Sequence, residues 1–150
     1  MRLHIEVVGR PAPQGSKKTG GAGQLLESSA YLPAWRAACR IGAYKAYAAA
    51  EIGTDHLPVF PIGVPVVIER CVFWVTSQQC RGAGTDLAIG KPDIDKLLRS
   101  TLDALGGGRY KTARLYDDDS QIVMINGLAK MRPVGTQSPG ASIVISDGKD

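Results

Sequence analysis

The stretch Lys91–Gln121, KPDIDKLLRSTLDALGGGRYKTARLYDDDSQ, decides how the rest of the chain is read. It opens on two aspartates at i and i+2, Asp93 and Asp95, and runs into an apolar stripe at helical spacing: Ile94, Leu97, Leu98, Thr101, Leu102 and Leu105. Pro92 disfavours helix at Lys91, so the helix begins near Asp93, an acceptable N-cap, and Gly106–Gly108 stops it. In mid-helix Asp93 and Asp95 would diverge; at a loop-to-helix junction both can point to one spot. Asp95, Arg99 and Asp103, spaced by four, line a neighbouring polar stripe. A loop rich in glycine, Arg and Lys then leads to three consecutive aspartates, Asp117, Asp118 and Asp119. Two carboxylate groups so placed can close on a hard divalent cation, since magnesium takes oxygen ligands and usually only one or two protein carboxylates directly. The cations between them (Lys91, Lys96, Arg99, Arg109, Lys111, Arg114) are what an anionic substrate requires. This pattern predicts a metal-assisted phosphodiester site.

Working outward, Leu3–Val8 alternates apolar and polar residues as a strand with one buried face does. Residues 10–30 hold Gly, Pro and Ser in a density that predicts no regular structure, only a basic arm with Arg10, Lys17 and Lys18. A helix is expected from Leu32–Pro33 to Glu51, with Trp35, Ala38, Cys39, Gly42, Ala46 and Ala49 facing the sheet. Arg36 and Arg40 share another face of it and, with Lys17, Lys18 and Lys91, are candidate contacts to a phosphate backbone. Val66–Val75 is β-branched, aromatic and almost continuous, which marks a central strand. Beyond the aspartates, Ser120–Met131 suggests a strand bent at Gly127, and Ala141–Ser146 a short terminal one. The order β-α-β-α-β-β, without repeats, predicts a single α/β (α+β) domain over residues 1–150: a small mixed sheet packed by two main helices.

Composition sets the outer bounds. A chain of 150 residues, 44% hydrophobic and 21% charged, can bury one core and is not disordered. The net charge of +4 is unevenly spread: residues 1–50 hold seven Lys/Arg against two Glu, residues 51–90 two against four, and residues 91–150 nine against eight. A basic approach surface beside an acidic pocket is a workable layout for cutting nucleic acid. Cys39, Cys71 and Cys80 are odd in number and lack C-x-x-C spacing, which argues against disulfides and a zinc site and for a reduced, cytosolic setting. His4 and His56 stand far apart and read as incidental. No membrane span, signal peptide, EF-hand loop or Walker A motif is expected.

The run P-D-I-D-K-L-L-R-S-T-L-D-A-L-G-G followed by Y-D-D-D-S-Q-I closely resembles the RusA family of Holliday-junction resolvases, endodeoxyribonucleases common in prophages and bacteriophages. The likeness is strong over 91–122 and visible in P-A-P-Q-G-S-K-K and in the Tyr31–Arg36 helix start. It implies a small α/β fold, a homodimer, and magnesium-dependent paired nicks in four-way DNA, with manganese as a substitute ion, in a bacterial or phage-infected cytoplasm. Carried over by position, it implies Asp93, Asp95 and Asp119 as metal ligands and Asp103 as support for the helix. The family's catalytic lysine falls on Arg99, and the residue after the second aspartate, usually asparagine, is Lys96. Arginine steadies charge on a phosphorane but stays protonated, so any proton transfer falls to Lys96 or a metal-bound water. Two other readings compete. The chain can be a non-catalytic junction-binding protein with a degenerate carboxylate site, or a phosphoesterase for smaller substrates, against which the long basic arm argues.

Overall fold

Val66–Trp74 forms the strand around which the sheet is built, here called β4, with neighbours on both sides as its almost continuous apolar character predicts. The computed structural model describes residues 1–14, 17–19, 25–27, 30–81, 86–106 and 114–149, the runs 17–19 and 25–27 by backbone alone. In chain order the strands are β1 (Arg2–Val8), β2 (Lys17–Thr19), β3 (Leu25–Glu27), β4, β5 (Ile122–Ile125), β6 (Leu128–Met131) and β7 (Gly140–Ser146). The helices are α1 (Leu32–Ala49) and α2 (Ile94–Leu105). The main sheet runs β1-β7-β4-β5, with β6 continuing along the same side of β4 as β5. It is mixed: β7 lies antiparallel to both β1 and β4, while β5 and β6 pair parallel with β4. The connection from β4 through α2 to β5 is therefore a βαβ unit, and it carries the sequence stretch singled out above.

Three expectations change. Residues 10–30 are not wholly irregular, because β2 and β3 pair as a separate antiparallel ribbon. The expected Ser120–Met131 strand is two short ones, broken at Asn126 and Gly127, whose backbone still bonds to β4. The short terminal strand β7 is the middle of the sheet, buried along its whole length between β1 and β4.

Leu3, Ile5 and Val7 of β1 share one core with Ile68 and Phe73 of β4, Ile143 and Ile145 of β7, and Trp35, Cys39 and Leu97 of the helices. Tyr47 is buried in this core and Ala49 is exposed, so α1 turns a slightly different stripe inward than predicted. The two helices are tied by Trp35, whose indole Nε1–H donates to Thr101 Oγ1 at 3.1 Å, while that hydroxyl donates to Leu97 O at 2.8 Å. Burial pushes the Cys39 thiol up, and the Cys71 thiol to about 12, so both stay neutral and serve as small core residues. No helix among the described residues is long and apolar enough to cross a membrane.

The β1–β7 contact leaves no room at Gly140, where a Cβ would lie 1.9 Å from Val7 O. Because that atom is backbone within a paired strand, Gly140→Ala must push β1 off the centre of the sheet. The expected loss is at least about 2 kcal/mol, read as a lower urea midpoint with unchanged slope.

Candidate active site

The two carboxylate groups are positioned by opposite ends of α2. Asp93 stands at the N-cap position, extended (φ −68°, ψ 142°), and Asp95 lies exposed in the first turn. Asp93 is surrounded by cations: Lys91 Nζ donates to its Oδ1 at 2.9 Å, and Lys96 Nζ lies 3.9 Å from Oδ2. The hydrogen bond from Lys91 holds the Asp93 carboxyl below the usual carboxylate range, with the charges of Lys96 and Lys130 helping. Lys91 and Lys96, singled out from the sequence, thus meet at this junction. Lys130 was not foreseen, since nothing in the local pattern of β6 points to it.

The three consecutive aspartates have separate tasks. Asp117 is structural: its Oδ2 accepts from Ile62 N at 2.9 Å and its Oδ1 pairs with Arg114 Nη2 at 3.0 Å. Asp118 caps a single 3-10 turn, Asp119–Gln121, by accepting from Ser120 N at 2.8 Å. That leaves Asp119, whose Oδ1 lies beside Gly106, so that a Cβ there would come within 3.3 Å of it. Gln121 locks the arrangement. Its Oε1 accepts from Asp117 N at 2.8 Å and Asp118 N at 2.9 Å, and its Nε2 donates to Phe60 O, Pro61 O and Val64 O at 3.0–3.1 Å. The D-D-x-Q run is therefore a folded device: the glutamine clasps the loop and the second aspartate projects.

Asp119 faces Asp103 and Arg99 on α2. Partial withdrawal of its carboxyl from water pushes its pKa up to about 6, and the nearby Asp103 carboxyl and Asp118 add to the rise while Arg99 opposes it. Asp103, which the resemblance implies as support for the helix, thus lies beside Asp119. Tyr116, fully buried, closes the floor by donating its Oη–H to Leu102 O at 2.6 Å. Arg36, a candidate contact to DNA, is part-exposed and bonds within the chain. Its Nη2 reaches Gln14 Oε1 at 2.5 Å and lies 3.9 Å from Asp103 Oδ2, which ties the start of the arm to the acidic pair. Arg40 is half-buried beside the Cys39 thiol, whose pKa it slightly lowers. Lys17 and Lys18 lie on β2, and their side chains fall outside the described residues, as do Arg109 and Lys111 altogether.

Asp93 and Asp95 thus stand at the start of α2, and Asp103, beside Asp119, near its end, with Arg99 between. Eight residues of helix put about 12 Å between the Cα atoms of Asp95 and Asp103, so those two do not share one ion whose bonds are about 2.1 Å. Accordingly, among the described residues no three His, Cys, Asp or Glu side chains are arranged to hold a metal ion. The donor chemistry nevertheless suits a hard divalent cation. Every donor is a carboxylate oxygen, Asp93 already draws ammonium groups, and the raised Asp119 marks a crowded carboxyl pair whose repulsion a cation would relieve.

A mixed sheet with a βαβ unit thus carries carboxylates and cations along and beside α2. The family described as Endodeoxyribonuclease RusA matches residues 8–146, nearly the whole chain, and the chain belongs to that family. No curated protein matches the chain.

Proposed function

We propose that this single-domain protein is a divalent-metal-dependent endodeoxyribonuclease that resolves four-way DNA junctions by paired phosphodiester hydrolysis. The observation that carries the reading is the α2 face: Asp93 and Asp95 at its start, Arg99 in its middle, and Asp119 brought against Asp103 near its end. When bound, magnesium or manganese held by Asp93, Asp95 and Asp119 supplies an activated water and neutralises phosphate charge. The protein's own groups do the rest. Arg99 and Lys96 stabilise charge on the phosphate, and Lys91 guides the strand to the junction of loop and helix. Arg10–Gln14 runs across α2, where Gln14 N donates to Lys96 O at 3.2 Å and Ser100 Oγ donates to Ala12 O at 2.6 Å. The basic arm with Lys17 and Lys18 therefore departs beside the site, where it can follow a phosphate backbone.

Two symmetric cuts require two sites, so we infer a homodimer whose two-fold axis matches that of the junction. Among the described residues no strand pairs with the outer edge of β5, and Val123, Met124 and Ile125, exposed by 63%, 52% and 41%, offer the apolar surface for it. A DNA-acting enzyme of this kind works in the cytoplasm of a bacterial or phage-infected cell. One competing reading is a junction-binding protein that does not cut, which Arg99, at the position of the family's lysine, allows.

The deciding experiment incubates the purified protein with a labelled four-way junction in Mg²⁺ or Mn²⁺, with linear duplex and Asp95→Asn as controls. Paired, junction-specific nicks that fall by more than about 100-fold in Asp95→Asn are expected. Junction binding without cutting in either ion would select the binding-only protein, and Arg99→Lys would then test whether lysine restores cleavage.

A further inference from the structure

Lys130 stands where a sheet of this design should hold an apolar residue. It pairs in register with Phe73 of β4, so its side chain emerges on the helix-covered face, the side on which Phe73 is fully buried. An ammonium group placed there must be satisfied or it is strongly unfavourable. Its partners are two main-chain carbonyls: Lys130 Nζ donates to Gly90 O and, at 2.8 Å, to Pro92 O. The same residue's own carbonyl accepts from Ala88 N at 2.9 Å. One residue of β6 therefore tethers alternate positions 88, 90 and 92 of the segment that delivers Asp93 to the start of α2. Carbonyl dipoles satisfy the ammonium's hydrogen bonds without neutralising it. A net positive charge is thus left next to Asp93.

We propose that Lys130 is a positioning residue, whose clamp on the Gly90 and Pro92 carbonyls sets the direction of the Asp93 carboxylate. This rests on the nuclease reading above. A methionine in its place keeps the apolar stem and loses the clamp, whereas arginine, with several N–H donors, can still reach carbonyls. The role differs from that of a bystander charge in the sign of one measurement. Loss of a mere positive charge near a carboxylate tightens cation binding, whereas loss of orientation weakens it.

The test compares Lys130→Met and Lys130→Arg with the wild-type protein in three measurements. Hydrogen exchange followed by mass spectrometry is expected to speed up in Lys130→Met over residues 88–95, and not in the 66–75 peptide of β4. Mn²⁺ affinity, read by EPR, should weaken about 10-fold, and single-turnover junction cleavage should slow by about 10- to 100-fold. Junction affinity in Ca²⁺ should stay within about 3-fold, and Lys130→Arg should recover most of the losses. Tighter Mn²⁺ binding, unchanged exchange in 88–95, or faster exchange with unaltered Mn²⁺ affinity and cleavage would each overturn the proposal. Wild-type protein that neither binds Mn²⁺ nor cuts the junction would instead sink the nuclease reading and the positioning role with it.

Discussion

Leucine in place of Gln121 is expected to destabilise the protein by about 3 kcal/mol and to reduce junction cleavage by at least about 100-fold. The side chain is buried, and its amide meets five main-chain groups: two N–H donors of the Asp117–Asp118 loop and three carbonyls of the 60–64 segment. Leucine has similar bulk but satisfies none of them. A main-chain group left unsatisfied in the interior costs about 1–3 kcal/mol, and at the more accessible positions water offsets part of that loss. The catalytic consequence follows from geometry. The loop that Gln121 clasps is the one that turns Asp119 toward α2, so loosening it misplaces a carboxylate while leaving Asp93 and Asp95 where they are. Gln121→Glu is the sharper control. It keeps the acceptor for Asp117 N and Asp118 N but sets a carboxylate against three carbonyl oxygens, and should destabilise at least as much. Thermal unfolding and single-turnover cleavage of the same samples measure both effects; a Gln121→Leu protein of wild-type stability would refute the clasp.

Asp119→Asn is expected to move stability and activity in opposite directions. The folded carboxyl titrates near 6 instead of the ordinary 3.8, chiefly because it is partly withdrawn from water and then because Asp103 lies beside it. Between those two values the folded protein binds more protons than the unfolded chain, so this group makes stability fall as pH rises through the window. Its favourable contribution is complete below about pH 4 and gone above about pH 6. Asparagine removes the titration, so the variant should match or trail the wild type at pH 4 and exceed it at pH 8. The gain at pH 8 is about 1 kcal/mol, because solvent at this exposed position screens the repulsion. Cleavage should meanwhile fall by more than about 100-fold, since a carboxylate proposed to hold the metal is lost. Metal-free protein melted across pH 4–8, beside junction cleavage in Mg²⁺, checks the pair. An Asp119→Asn protein less stable than wild type at pH 8 would show that the carboxylate is held by attraction and not crowded.

Much of this site was legible because its determinants are local. Asp93 at the junction, the stripe of Leu97 and Leu105, and the stop after Leu105 follow from helical periodicity and capping, and α2 spans Ile94–Leu105 as that pattern requires. The resemblance picked Asp119 out of three neighbouring aspartates by its spacing from Gln121, and the clasp supplies the physical reason for that spacing. The Asp103–Asp119 contact was not legible, because the two are distant in sequence and only folding brings their carboxyls together. The internal partners of Arg36, Gln14 and Asp103, were not legible for a related reason: both are distant from it in sequence. Lys130 left no local signal at all.

The sequence alone determined the amphipathic helices, the central character of β4 and the residue types able to bind a hard cation near phosphate, because periodicity and side-chain chemistry act over a few residues. Only the tertiary structure decided that the last strand, β7, inserts between β1 and β4, that a lysine of β6 grips the segment before Asp93, and that Asp119 comes to lie beside Asp103 of α2. Those outcomes depend on which distant segments pair across the sheet, a choice made by burying one shared core and not by any short run of residues.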